Sequence, residues 1–281
     1  MARPQSPEAR REALKEQYAS ARACTRCPHL VATRTQVVFG AGNADADLMF
    51  VGEAPGRDED LKGIPFVGRA GRLLESLLAE IGLTREDVFI ANVLKCRPPD
   101  NRNPTADEIE RCSPWLMRQL ELIRPTVVVT LGNFATKLIR EDPTPITRIR
   151  GRVELRRIGT RTVRLLPVLH PAAALYTPSN RELLQSDFAL IAGLLAQGAP
   201  EQLGEGEAAG RLGERGAARC DEEGGAAGED DRADETRPVG EREPVDDPRD
   251  GDRCEPSDEA AAPANGVPVN GALDDAQLGL F

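Results

Sequence analysis

The amino-acid sequence predicts an α/β fold: a mostly parallel sheet with helices on both faces. Two observations carry this. Short apolar runs of strand length alternate with longer amphipathic segments. Charge, in turn, divides the chain of 281 residues into two unlike parts. Residues 1–200 hold 28 Lys and Arg against 23 Asp and Glu, net +5, whereas residues 201–281 hold 8 against 23, net −15. The second part has no apolar periodicity and is dominated by Glu, Asp, Gly, Ala, Arg and Pro. Such a segment buries too little apolar surface to offset its ordering entropy, so a disordered acidic tail is expected. The expected domains are therefore 1–200 and 201–281.

Each element has its own signal. Residues 7–23 read as an N-terminal helix. Residues 47–51 (DLMFV) are a short buried strand. Residues 69–81 are a helix, with Leu73, Leu74, Leu77, Leu78 and Ile81 on one face. Residues 88–94 (VFIANVL) form the next strand. Residues 105–123 form a helix that Thr105 can cap, with Glu108 at the capping-box spacing. Residues 126–131 (TVVVTL) are a strand, followed by Gly132 and a helix over 133–140. Residues 153–155 and 163–165 pair as a hairpin. Residues 166–169 (LPVL) are a last strand, and 179–195 a last helix.

Several functions are excluded early. No stretch approaches the roughly 20 apolar residues a membrane span needs. The N-terminus lacks the apolar segment of a signal peptide, so a cytoplasmic protein is expected. The stretch LMFVGEAPGRDEDLKGIPFVGRAG, residues 48–71, turns after a strand, but it carries neither the Gly-Lys-Ser/Thr of a phosphate loop nor GxGxxG. Its acidic character argues against a phosphate as primary guest. The core is mildly basic, which permits nucleic acid.

In such a sheet ligands sit beyond the carboxyl ends of the strands. The residues there are Gly52-Glu53-Ala54-Pro55-Gly56, Asn92, Gly132-Asn133 and His170-Pro171-Ala172-Ala173. Asn92 stands in an otherwise apolar strand and needs a partner, because a buried unpaired amide is costly. His170 is one of two histidines, the other being His29.

Six cysteines are present: Cys24, Cys27, Cys96, Cys112, Cys220 and Cys254. A cytoplasmic chain argues against structural disulfides. The CTRC pair follows a helix, which is the wrong place for a thioredoxin-like redox motif. Four core thiols fit a four-thiolate zinc site or an iron–sulfur cluster, and spacing does not separate the two. Cys220 and Cys254 read as free.

Taken together, GEAPG, GIPFVGRAGRLL, NVLKCRPPDNRNP and HPAAAL, with cysteines at 24, 27, 96 and 112, closely resemble family 4 uracil-DNA glycosylases, over roughly residues 10–197. The joint pattern is specific where each piece alone is weak. The resemblance implies a four-stranded parallel sheet between helices, a three-layer α/β/α sandwich. It implies a [4Fe–4S] cluster on Cys24, Cys27, Cys96 and Cys112. It places the uracil pocket on Gly52, Glu53, Ala54, Phe66, Asn92 and His170, with uracil-containing DNA as partner and a monomeric enzyme.

Residue chemistry agrees. Uracil presents an acceptor at O4 and a donor at N3, and the amide of Asn92 can serve both. Phe66 offers a face for stacking, and His170 a donor toward O2. The best-known branch of the superfamily places an Asp where Ala54 stands, so no base is assigned by position; Glu53 and Glu59 are the nearest carboxylates. A relative that traps its product covalently uses a His after the second strand, and KCRPPDNRNP has none, so ordinary turnover is expected. Leu175 and Tyr176 are the candidates for the wedge that fills the flipped base's gap. The chain ends DDAQLGLF, where Gln277, Leu280 and Phe281 resemble a shortened sliding-clamp-binding peptide. Two rivals are a non-catalytic iron–sulfur DNA-binding protein of the same fold, and a metal-dependent phosphate-ester enzyme using Asp58, Glu59 and Asp60.

Overall fold

A computed structural model of the chain describes residues 6–203. The expectations for Cys220, Cys254, Gln277, Leu280 and Phe281 lie outside the described residues.

The strands are β1 (Ala41–Gly42), β2 (Leu48–Gly52), β3 (Phe89–Asn92), β4 (Val127–Leu131), β5 (Glu154–Ile158) and β6 (Arg161–Val168). They form one sheet in the order β1-β3-β2-β4-β6-β5. The central four are parallel, and β1 and β5 pair antiparallel at the edges. The α/β class and the parallel core stand as expected, but the strand count is six rather than four. The predicted hairpin forms, yet its second arm runs without a break into LPVL, so two expected strands are one. β1 spans only two residues, too few to leave an apolar run in the sequence. β2 and β4 are buried along their whole length, which is why they read as continuous apolar runs.

The helices are α1 (Pro7–Arg22), α2 (Pro28–Val31), α3 (Arg57–Lys62), α4 (Arg69–Glu80), α5 (Ala106–Ile123), α6 (Asn133–Arg140), α7 (Ile146–Ile149), α8 (Pro171–Ala174) and α9 (Pro178–Ala196). One apolar layer packs Leu74, Leu77 and Leu78 of α4 with Leu184, Phe188 and Ile191 of α9 against one face of the sheet. The other packs Leu14 and Tyr18 of α1 with Leu116, Leu120 and Ile123 of α5 against the opposite face. The capping box of α5 forms as predicted: Glu108 N donates to Thr105 Oγ1 at 3.3 Å, and Thr105 N to Glu108 Oε2 at 2.8 Å. The acidic stretch after GEAPG is a helix, α3, rather than a loop. Its three acids occupy the first turn, where the helix dipole favours negative charge.

At its far end the described chain is tied to the sheet. Thr162 N donates to Gln202 Oε1 at 3.0 Å, and Leu203 N donates to Thr162 Oγ1 at 2.8 Å. Thr162 stands near the start of β6, at the end of the sheet opposite the carboxyl ends of the parallel strands. No helix among the described residues is long and apolar enough to cross a membrane.

Candidate active site and thiol centre

The carboxyl ends of β2, β3 and β6 open into a pocket of about 340 Å³, lined by Glu53, Ala54, Gly56, Glu59, Phe66, Ala70, Asn92, Asn101, His170 and Ala172. That volume suits one small planar ligand. All the predicted pocket residues meet here or at its floor. Gly52 ends β2 directly beneath: a Cβ there would lie 2.3 Å from Asn92 Oδ1 and 2.7 Å from the Phe66 ring. Glycine is therefore required, and its absent side chain is space for the two neighbours.

Asn92 is 2 % exposed, and its Oδ1 is buried with no hydrogen-bond partner. A buried acceptor left unpaired costs about 1–3 kcal/mol. It faces Gly52 and Phe66 in the pocket, so an N–H donor on a ligand would satisfy it.

Phe66 has φ of 54°, the left-handed region that bulky residues avoid. Its ring stacks on His170, with centroids 5.6 Å apart and planes at 29°. Gly71 permits this turn, since a Cβ there would come within 1.8 Å of the Phe66 carbonyl oxygen.

His170 follows β6 and caps α8: the backbone N–H of Ala172 donates to its Nδ1 at 3.1 Å. Nδ1 must then be unprotonated, which puts the proton of the neutral ring on Nε2. Burial holds the imidazole down to about 4, with the charge of Glu59 opposing it, so the ring is neutral at ordinary pH. Gly132, at φ of 88°, lets β4 turn away beside it; a Cβ there would sit 3.1 Å from the His170 Cβ.

The two candidate carboxylates differ sharply. Glu59 is committed to the backbone: Oε1 accepts from Val67 N and Gly68 N at 2.9 Å each, and Oε2 accepts from Gly56 N at 3.1 Å. It thereby laces the GEAPG turn to the Phe66 loop. Asp60 is similarly spent on Thr35 N, with both oxygens at 3.0 Å. Every carboxylate oxygen on two of the three members of the acidic cluster is thus already hydrogen-bonded to backbone N–H. Glu53 lines the pocket, and burial alone raises its carboxyl above the usual range.

The four core cysteines come together at a second place. Cys24 and Cys27 from the link between α1 and α2, Cys96 beyond β3 and Cys112 of α5 line one cavity with Arg26, Arg34, Lys95, Arg111 and Trp115. None is in a disulfide. Three sulfurs receive donors: Cys24 from Arg26 Nε at 3.4 Å, Cys96 from Arg34 Nη1 at 3.1 Å and Cys112 from Lys95 N at 3.3 Å. Burial pushes the Cys112 thiol up to about 11 and raises Cys27 and Cys96 as well. At Cys24 burial is outweighed by the hydrogen bonds of Arg26, and the thiol is lowered. Among the described residues no three His, Cys, Asp or Glu side chains converge closely enough to hold one metal ion. Buried Lys95 links the two centres, its Nζ donating to the Asn92 carbonyl at 2.9 Å and to Gln119 Oε1 at 2.6 Å.

Sequence reasoning missed Ala70 and Asn101 in the pocket wall, and Arg85, whose guanidinium reaches the Pro65 and Phe66 carbonyls. Asn101 lies in the loop after Cys96 with φ of 54°, a left-handed turn that an Asn tolerates; its one sequence signal was membership of the NVLKCRPPDNRNP motif, which did not single it out.

A sheet of this topology with Asn92, Phe66 and His170 gathered at its carboxyl edge defines an α/β protein with its pocket where such sheets bind ligands. Residues 39–191 match the family model of the uracil DNA glycosylase superfamily. The chain is 53 % identical over 182 residues to the type-4 uracil-DNA glycosylase of Archaeoglobus fulgidus, covering 63 % of this chain and 90 % of that one. It is 47 % identical over 185 residues to the type-4 enzyme of Sulfurisphaera tokodaii, covering 64 % and 82 %. It is 48 % identical over 172 residues to that of Saccharolobus solfataricus, covering 59 % and 79 %. The chain belongs to the uracil DNA glycosylase superfamily.

Proposed function

We propose that this protein excises uracil from DNA, hydrolysing the N-glycosidic bond and leaving an abasic site. The observation that carries the reading is the buried, unpartnered Oδ1 of Asn92 at the floor of a pocket walled by Phe66 and His170.

A base must leave the stack to reach such a pocket. There Asn92 Oδ1 accepts the uracil N3–H, and its amide N–H donates to O4. Cytosine presents the reverse pattern and leaves both groups unpaired, a mismatch that hydrogen-bonding sites reject strongly. Phe66 stacks on the ring, a contact worth roughly 1–3 kcal/mol. As the bond from C1′ to N1 breaks, its electron pair goes to the base, and charge builds on O2. The Nε2–H of neutral His170 donates to that oxygen without itself ionising. A water adds to C1′, and Glu53 takes its proton. Glu53 suits this role because burial gives its carboxylate a raised proton affinity, while Glu59 is held by three backbone N–H groups. Tyr176, 79 % exposed with the Arg69 guanidinium 6.0 Å from its ring centroid, is better placed as the wedge than Leu175, which packs into the apolar layer.

Cys24, Cys27, Cys96 and Cys112 fit a [4Fe–4S] cluster. The four thiols line one cavity and would hold such a cluster as thiolates, and Arg26, Arg34, Arg111 and Lys95 would supply compensating charge. When bound, the group ties the α1–α2 link to β3 and α5. Unpaired core thiols also fit a reducing cytoplasm.

Uracil release from a single-stranded oligonucleotide, with and without magnesium and chelator, tests the reading. Metal-independent release is expected. DNA binding with no release would favour the non-catalytic alternative, and magnesium dependence the phosphate-ester one.

A further inference from the structure

We propose that Arg85 is a positioning residue for the excision reaction, acting through Phe66. The inference rests on the reading that Phe66 stacks on the flipped base.

The backbone of Phe66 is left-handed, at φ of 54°. A bulky residue stays there only when its surroundings over-determine it. Its conformation is set by two peptide planes, one on each side of its Cα. Arg85 grips both. Nη2 donates to the Pro65 carbonyl, on the plane before Phe66, at 2.6 Å, and Nη1 donates to the Phe66 carbonyl, on the plane after it, at 2.8 Å. One planar guanidinium therefore spans two successive carbonyls, and Glu75 of α4, 3.2 Å from Nη1, steadies the fork. The N–H groups that follow, on Val67 and Gly68, are taken from the other side by Glu59. Arg85 itself does not line the pocket. It reaches the ring only through the backbone that aims it. The ammonium of a lysine carries its three N–H groups on one nitrogen and lacks the planar fork that spans both carbonyls.

The test is a double-mutant comparison on single-stranded uracil DNA, using R85A, R85K, F66A and R85A/F66A. Single-turnover excision, affinity for abasic-site DNA and melting temperature are measured on each. R85A and R85K are expected to slow excision roughly tenfold to a hundredfold, the range a small misplacement costs, with abasic-DNA affinity unchanged. Adding R85A to F66A is expected to change the rate by less than about twofold, because residues acting as one unit are not additive. If R85A folds poorly, R85K carries the same comparison. Losses that multiply in the double variant would overturn the inference, as would abasic-DNA binding that weakens in step with the rate. R85A at wild-type rate beside a slow F66A would sink the role of Arg85 and leave stacking intact. F66A at wild-type rate would sink the stacking reading, and this inference with it.

Discussion

Asn92 is the residue with most to show. Its Oδ1 carries an uncompensated burial cost in the free protein, so Asn92→Ala should leave the melting temperature unchanged or slightly raised while excision falls by about a hundredfold or more. Thermal melting beside single-turnover excision checks both halves; a large stability loss would mean the amide has a structural partner. His170 makes a pH prediction. Its folded value lies near 4, below the ordinary 6.5. The stability held by the neutral buried ring is therefore complete above about 6.5 and lost as pH falls through 4. The ring should likewise stay neutral, with Nε2–H facing O2 and Nδ1 accepting from Ala172, from neutral pH down to about 5. Glu53, whose carboxyl is raised by burial, should contribute an acid limb that vanishes in Glu53→Gln. Asn92, Phe66 and His170 stood out in the sequence because each is the odd residue in its surroundings, an amide in an apolar strand, a lone aromatic between glycines, a His before Pro; their pocket roles came from the family resemblance. Arg85 was not legible. Its function depends on two carbonyls nineteen and twenty residues away, and no pattern marks it.

At the scale of elements, strands buried on both faces and helices with one apolar face declared themselves, because burial dictates their residue types. Elements stabilised by other means did not. α3 looked like an acidic loop since its charges serve the dipole and the backbone N–H groups of its neighbours. β5 looked like half of an isolated hairpin, because an edge strand that is only partly buried carries arginines. α5 yields a stability prediction. Buried Glu108 caps its N-terminus, accepts Arg102 through two oxygens at 2.6 and 2.9 Å, and meets His29 Nε2 at 2.6 Å. The hydrogen bonds of Arg102 foremost hold its carboxyl down to about 2. The contribution is present above the ordinary value of 4.5 and is lost as pH falls toward 2. Glu108→Ala should cost about 1–2 kcal/mol at neutral pH, chiefly through the lost cap, since Arg102 and His29 are solvent-exposed and keep their hydration. Chemical denaturation read at pH 7 and again near pH 3 should show the gap narrowing.

At the scale of the whole molecule, the thiol centre joins segments far apart in sequence. Cys96→Ala or Cys112→Ala should remove visible absorption and bound iron together and lower the melting temperature; native protein with stoichiometric zinc and no iron would defeat the cluster assignment. The acidic segment is expected to be separable from the chemistry. Removing residues 204–281 should leave excision on short oligonucleotides within about twofold, whereas removing only residues 277–281 should abolish any clamp binding seen by calorimetry.

The tie between Leu203 and Thr162 has a practical side. From Thr162 to the end of β6 is six residues of strand, about 20 Å, and His170 lies beyond. A linker fused after Leu203 therefore begins at the pole opposite the pocket. Protein immobilised on a sensor chip through that point would present its mouth to the bulk solution. Removal of uracil could then be followed on a surface, with the protein reloaded by successive DNA injections and no attachment chemistry near the base.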